Sequence, residues 1–144
     1  MNKQKLAETA VAQMLIHDGF SAWLGIELLE IKPGRTLLKM KVRKEMLNGF
    51  NICHGGILFA LADSAMAFAA NTHGQLSVSI ENGITYLEKV TEGDVITAGA
   101  EEVYRSDKIA VYNVSLTKQD NIRVALFRGT VYRTKKTFPE ETAG

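Results

Sequence analysis

An antiparallel α+β domain, with a sheet of about six strands around one long helix, is what this 144-residue sequence predicts, and three observations carry the prediction. Residues 54–72 form a helix with no charged face, because Ile57, Leu58, Phe59, Leu61, Met66 and Phe68 cover every direction and alanine fills the rest. A helix apolar all round has to be wrapped by other structure. Strand-like segments then follow one another instead of alternating with helices, which favours antiparallel pairing over βαβ units. Short polar turns separate them.

Residues 3–16 carry Leu6, Ala10, Val11, Met14 and Leu15 on one face at helical spacing, an amphipathic helix packed on the body. Residues 19–25 read as a mixed connector, 26–31 as a strand, and Lys32-Pro33-Gly34-Arg35 as a turn. Residues 36–43 alternate, with Leu38, Met40 and Val42 inward, completing a half-buried hairpin. Beyond the long helix and His73-Gly74, strands are expected over 77–87, 95–105, 109–118 and 122–134. Their separators are Glu92-Gly93-Asp94, Ser106-Asp107 and Gln119-Asp120-Asn121. The chain 1–144 reads as a single domain, with an N-terminal helical segment over 1–20 and a flexible tail over 137–144.

Hydrophobic residues at 46% and charged residues at 23% argue against bulk disorder. The net charge is +1 and the basic residues are scattered, which leaves no field suited to nucleic acid. The most basic stretch, 123–136, holds five Lys or Arg and no acid. It reads as a solvated strand face, with a small phosphate-bearing ligand as the alternative. The lone cysteine, Cys53, precludes an internal disulfide and fits a reducing compartment. The first residues lack the apolar core of a signal peptide. Residues 55–70 approach the length of a membrane span, but Asp63 at their middle would cost about 2.5–3.5 kcal/mol to insert. A buried helix of a cytoplasmic protein is therefore expected, with no membrane partner.

Asp63 is the only formally charged side chain between Gly49 and Ile80. A carboxylate set alone among apolar residues must be paired, protonated or employed. Gly55 and Gly56 open the same helix, where free N–H groups and the dipole favour an anion or an oxyanion; relief of crowding is the plainer reading. Eight residues at about 1.5 Å each put Gly55 and Asp63 roughly 12 Å apart along the axis. An oxyanion donor and a nucleophile must each lie about 3 Å from one reacting carbonyl, so a shared site requires the carboxylate of a second subunit. A two-fold dimer with antiparallel helices would make two such sites.

Asn48 precedes the helix; Asn-Gly is a turn signal, and its amide also suits holding a carbonyl or a water. His54 suits helix capping and carbonyl polarisation equally. Cys53 beside it reads as a small buried residue, not a nucleophile, since no orienting acid is near. Ser77, Ser79 and Glu81 alternate with Leu76, Val78 and Ile80, and Ser79 stands either as a residue that places a water against Asp63 or as an ordinary exposed serine. The three histidines show no metal-ligand spacing, so no metal is expected. Serine-hydrolase, P-loop and dinucleotide motifs are absent.

Asn48-Gly49, Cys53-His54-Gly55-Gly56, Leu61-Ala62-Asp63, Ala67-Phe68-Ala69 and Ile84-Thr85-Tyr86-Leu87 resemble the hotdog-fold acyl-CoA thioesterases, most closely those of phenylacetic-acid degradation. The similarity extends from about residue 18 to 133 and includes Leu126-Phe127-Arg128-Gly129. It implies a hotdog fold, in which a curved sheet wraps a long helix, protomers join their sheets into dimers, and dimers pair into tetramers. It also implies that Gly55 N–H polarises the thioester carbonyl, that Asp63 from the other protomer is the catalytic carboxylate, that Asn48 and His54 hold the thioester, and that Ser79 holds the water. The family often has a proline soon after the Tyr86-Leu87 position, where this chain has Glu88-Lys89-Val90.

Hydrolysis of an acyl-CoA thioester, aryl-acetyl or medium-chain, is the activity expected, with no separate cofactor because CoA is part of the substrate. Arg105, Lys108, Arg128 and Arg133 are the candidates for its phosphates. Two other readings of this fold are an acyl-CoA sensor without turnover, which would not need Asp63, and an acyl-thioester hydratase or dehydratase, which would set a histidine beside an acid.

Overall fold

A computed structural model describes residues 2–138. Its elements run α1 (Lys3–Ile16), α2 (Gly19–Leu24), β1 (Glu27–Lys32), β2 (Arg35–Lys41), α3 (Gly55–Asn71), β3 (Gln75–Tyr86), β4 (Val95–Arg105), β5 (Ile109–Lys118) and β6 (Ile122–Thr137). Six strands make one antiparallel sheet in the order β1-β2-β4-β5-β6-β3. The sheet wraps α3, which packs against β2, β3, β4, β5 and β6, giving the expected hotdog arrangement.

Side-chain alternation drives the wrapping. Thr36, Leu38 and Met40 of β2 point to α3 and are buried, as are Ile96, Ala98 and Ala100 of β4 and Ala110, Tyr112, Val114 and Leu116 of β5. From the helix come Leu58, Leu61, Met66 and Phe68, each at most 3% exposed. Thr36 Oγ1 donates to Ala65 O at 2.7 Å, a buried tie between β2 and the middle of α3. One stripe of α3 is less covered: Ile57, Ala60, Asp63, Ser64 and Ala67 are half-buried.

Several expectations need correction. The connector over 19–25 is a short helix: Asp18 caps it by accepting Ser21 N–H at 2.9 Å, and Gly25 ends it in the left-handed region at φ +74°. Six residues are too few to show a helical period, so only the caps carried the signal. On α1 the buried face is Ala7, Thr9, Ala10 and Val11, whereas Leu15 is exposed and Leu6 and Met14 are half-buried. Small residues let α1 sit close, which turns its larger side chains to the rim. β6 runs three residues further than expected because its end pairs with the start of β3, Gln75 opposite Thr137. Thr137 therefore belongs to the sheet, Phe138 N–H donates to Gly74 O at 2.9 Å, and the rest of the expected tail, 139–144, lies outside the described residues.

No helix among the described residues is long and apolar enough to cross a membrane. Leu61 is fully buried where the sheet closes on α3. Leu61→Ala is expected to lower unfolding stability by about 2–5 kcal/mol, read from the midpoint and slope of urea unfolding.

Candidate active site

The site begins where α3 begins. His54 is the N-cap: its Nδ1 accepts Gly56 N–H at 2.8 Å and its carbonyl accepts Ile57 N–H at 3.0 Å. With Nδ1 accepting, the neutral ring carries its proton on Nε2, which remains a donor on an exposed side chain. Gly55 N–H has no acceptor among the described residues, at the positive end of a 17-residue helix. A Cβ on Gly55 would stand 2.8 Å from Tyr86 Oη, whose hydroxyl donates to Gly55 O at 2.7 Å. Tyr86 thus clamps the first turn, and a larger residue at Gly55 would have to move Tyr86 or the turn itself.

The loop before the helix is held just as firmly. Asn48 Oδ1 accepts Phe50 N–H at 2.9 Å and Ile52 N–H at 3.4 Å, while its own N–H donates to Ile52 O at 2.8 Å. Its carbonyl oxygen serves the turn, which leaves the amide NH2 as its donor. The residue in the left-handed region is Asn51, at φ +59°, not Gly49. Cys53 N–H donates to Val90 O at 2.7 Å, anchoring the loop to the segment where the family often has proline. Burial pushes the Cys53 thiol up to about 11, which keeps it protonated and unreactive.

Asp63 sits half-buried on the less covered stripe of α3. Burial raises its carboxyl above the usual range, and a hydrogen bond from Asn82 partly offsets this: Asn82 Nδ2 donates to Asp63 Oδ1 at 3.2 Å. Asn82 was invisible to simple alternation. A bulge in β3 pairs Ser79 with Val131 but Glu81 with Thr130, so Ile80 is the extra residue. The inward register therefore passes from Ser79 to Asn82 and Ile84, opposite the inward-facing Val131, Gly129 and Phe127. Glu81 moves to the outer face, contrary to the expected Ser77-Ser79-Glu81 stripe. Ser79 shares the helix-facing side with Asn82 but is exposed on an edge strand, and no bond joins it to Asp63 among the described residues.

The four basic candidates do not form one cluster. Arg105 and Arg133 line a cleft of about 750 Å³ at the far end of α3, with Lys3 and His73. Arg105 Nη1 donates to His73 Nδ1, so His73 Nε2–H donates to Glu102 Oε1 at 2.8 Å; burial holds this imidazole below its ordinary value. Arg133 Nη1 donates to Ser106 O at 2.7 Å and Nη2 to Gln75. Both guanidinium groups thus also brace the fold. Lys108 is exposed on the adjoining turn. Arg128 lies apart, on the outer sheet face beside Arg123. Among the described residues no three His, Cys, Asp or Glu converge as a metal site.

The model of the thioesterase superfamily matches residues 50–125, which include Gly55, Asp63, Asn82 and Tyr86. The chain belongs to the thioesterase superfamily. It is 41% identical over 137 residues to a putative esterase of Archaeoglobus fulgidus, covering 95% of this chain and 89% of that one. To the acyl-coenzyme A thioesterase PaaI of Escherichia coli it is 36% identical, over 89% of this chain and 91% of the relative. The solved structure of E. coli PaaI, from the phenylacetic acid degradation operon, superposes with a TM-score of 0.92 over 96% of this chain and all of that one, at 33% identity. A hypothetical thioesterase of Streptococcus pneumoniae solved with coenzyme A gives a TM-score of 0.82 at 26% identity, over 88% and 98% of the two chains. That protein has also been solved with an aspartate, and a threonine sixteen residues beyond it, each replaced by alanine.

A carboxyl raised by burial is better tolerated protonated, so the fold binds a proton there that the unfolded chain releases. Its ionisation costs stability as pH rises from the unfolded value toward the raised folded one. Asp63→Asn keeps an acceptor for Asn82 and removes that cost. The variant is expected to melt above the parent at pH 7, with the difference shrinking toward pH 4, as thermal melts across that range would show.

Proposed function

We propose that this protein hydrolyses acyl-CoA thioesters, and that each active site joins Gly55 of one subunit to Asp63 of the partner subunit across a two-fold axis. The observation that carries this reading is one helix that has, among the described residues, an unspent N–H at its start and a half-buried carboxylate with no cation against it eight residues on. The two are too far apart along the helix, roughly 12 Å, to serve one carbonyl.

Features of the single chain support the pairing. β3 is a 12-residue strand at the sheet edge with Val78 and Ile80 more than half exposed, a length of open apolar edge that soluble proteins normally cover. The less covered stripe of α3 stands on the same side, where Asp63 meets Asn82 of β3. Antiparallel pairing of two β3 edges would bring the start of one α3 toward the middle of the other. Two such dimers then assemble as a tetramer, as the family resemblance implies, and the single free cysteine suits a cytoplasmic setting.

The chemistry follows from the donors present. The thioester oxygen accepts Gly55 N–H, strengthened as negative charge develops by the helix dipole, while His54 Nε2–H and the Asn48 amide hold the thioester at the helix mouth. The partner subunit's Asp63 either draws a proton from an attacking water or adds to the carbonyl to give a mixed anhydride that water opens. CoA leaves as a thiolate, a good leaving group, so no strong general acid is required. Ser79 would hold the water: its place sixteen residues after Asp63, the spacing of the two substituted residues in the S. pneumoniae thioesterase, supports that role. Arg105, Lys108 and Arg133, at the far end of α3, would stand beside the partner's helix start and meet the CoA phosphates; Arg128 lies away from them. The likeness to PaaI, from the phenylacetic acid degradation operon, supports an aryl-acetyl group, with a medium-chain acyl group as the other substrate class proposed.

Free-thiol release from a panel of acyl-CoA esters tests the activity. The parent should turn over at least one ester. Asp63→Asn, which removes the carboxylate, should lose about 100-fold or more in kcat, and so should Gly55→Ala, which keeps the N–H but sets a methyl group 2.8 Å from Tyr86 Oη and so displaces the donor. Full activity in Asp63→Asn would sink the mechanism.

Mixing the two inactive variants tests the shared site. A mixed dimer keeps one intact Gly55 facing one intact Asp63, so random exchange should restore about a quarter of the parental activity. No recovery after verified subunit exchange would place both groups of each site in one chain.

A further inference from the structure

The seat of Asn82 is a costly arrangement that the reaction above does not use. Asn82 Nδ2 donates to Asp63 Oδ1, while its Oδ1 is sealed from solvent and has no partner among the described residues. Buried polar atoms left unpaired are disfavoured, and a leucine of nearly the same shape would leave none. The fold nevertheless makes room for this amide. Across the strand pair stands Gly129, where a Cβ would come within 2.5 Å of Asn82 Oδ1 and collide with the Sδ of Met66. Met66 is fully buried and lies three residues after Asp63 on α3. Glycine in β6, the bulge in β3 and the methionine in α3 thus meet around one side chain, and that side chain touches the carboxylate.

We propose that Asn82 is a positioning residue for Asp63: by holding Oδ1 it fixes the rotation of the carboxylate and presents Oδ2 to the reacting centre, with Gly129 and Met66 forming its seat. The proposal rests on Asp63 being the catalytic carboxylate. No charged side chain on α3 or on any element packed against it acts on Asp63 among the described residues; burial and Asn82 are the two influences present. Because Asn82 favours the ionised form, its loss moves the Asp63 titration upward.

The test uses the 144-residue protein with aspartate labelled at the side-chain carboxyl carbon, and the Asp63 carboxyl is followed by carbon NMR against pH, with Asp63→Asn for assignment. In Asn82→Leu the Asp63 titration should rise by about one pH unit, the tenfold effect of losing one hydrogen bond to a charged group. At acid pH, where Asp63 is protonated, melting should not fall because the orphaned oxygen is gone; at pH 7 the lost bond to the ionised carboxylate works against that gain. In thioester hydrolysis kcat should drop about tenfold with KM within about threefold, and the acid limb of kcat should move up with the NMR titration. Should Asn82→Leu fail to fold, the double variant Gly129→Ala/Met66→Ala, which removes the collision with sulfur and keeps the one with the amide, should give the same shift. An unchanged Asp63 titration overturns the proposal whatever the activity. A shifted titration in a protein that hydrolyses no acyl-CoA overturns the functional reading while leaving the coupling of Asn82 to Asp63 in place.

Discussion

A sheet can close around a helix with no polar face only if its inner surface lets the helix approach, and here that surface is made of small residues. Ala98 and Ala100 of β4 and Ala110 of β5 are buried against α3, and at Gly129 of β6 even a methyl group would overlap Met66. Larger side chains then fill the remaining space from both sides, Leu61, Met66 and Phe68 from the helix and Leu38, Met40 and Leu116 from the strands. Dense packing of this kind transmits position: the depth at which α3 sits fixes where Asp63 stands relative to β3.

Within that frame the start of α3 has an unequal treatment of its N–H groups. His54 takes up those of Gly56 and Ile57, Tyr86 grips the Gly55 carbonyl, and Gly55 N–H is left over. A helix start normally leaves several such groups to water. Here the surrounding turn is so thoroughly bonded, through Asn48, Cys53 and Val90, that the remaining donor is held in place before any ligand arrives. Preorganisation of that kind is what lets a hydrogen bond favour a developing charge over the ground state.

The same chain devotes other polar groups to bracing. Glu102 accepts from His73 and from Tyr112, while Arg105 closes the group from the His73 side. Sequence alone treats an exposed arginine and a bracing arginine alike. Arg105 and Arg133 read in sequence only as candidates for phosphates, and their guanidinium groups also hold turns and strand ends together.

Composition and periodicity by themselves determined that α3 is a wrapped helix, that an antiparallel sheet wraps it, and that one carboxylate needs explaining. These follow from local pattern, because an uninterrupted apolar helix has few places to go and a lone charge within it has few reasons to stay. Helix arithmetic also showed that Gly55 and Asp63 of one chain cannot act on one carbonyl. Only the tertiary structure decided which side chain meets Asp63. One extra residue in β3 exchanges the two faces of the strand beyond it, sending Glu81 outward and bringing Asn82 in, and neither residue's neighbours in sequence announce the bulge. The rotated face of α1 belongs to the same class, whereas the short helix at Gly19–Leu24 is set locally by its caps, Asp18 and Gly25. The bulge and the buried face of α1 depend on how closely two surfaces approach, which is a property of the packed chain and not of any segment read alone.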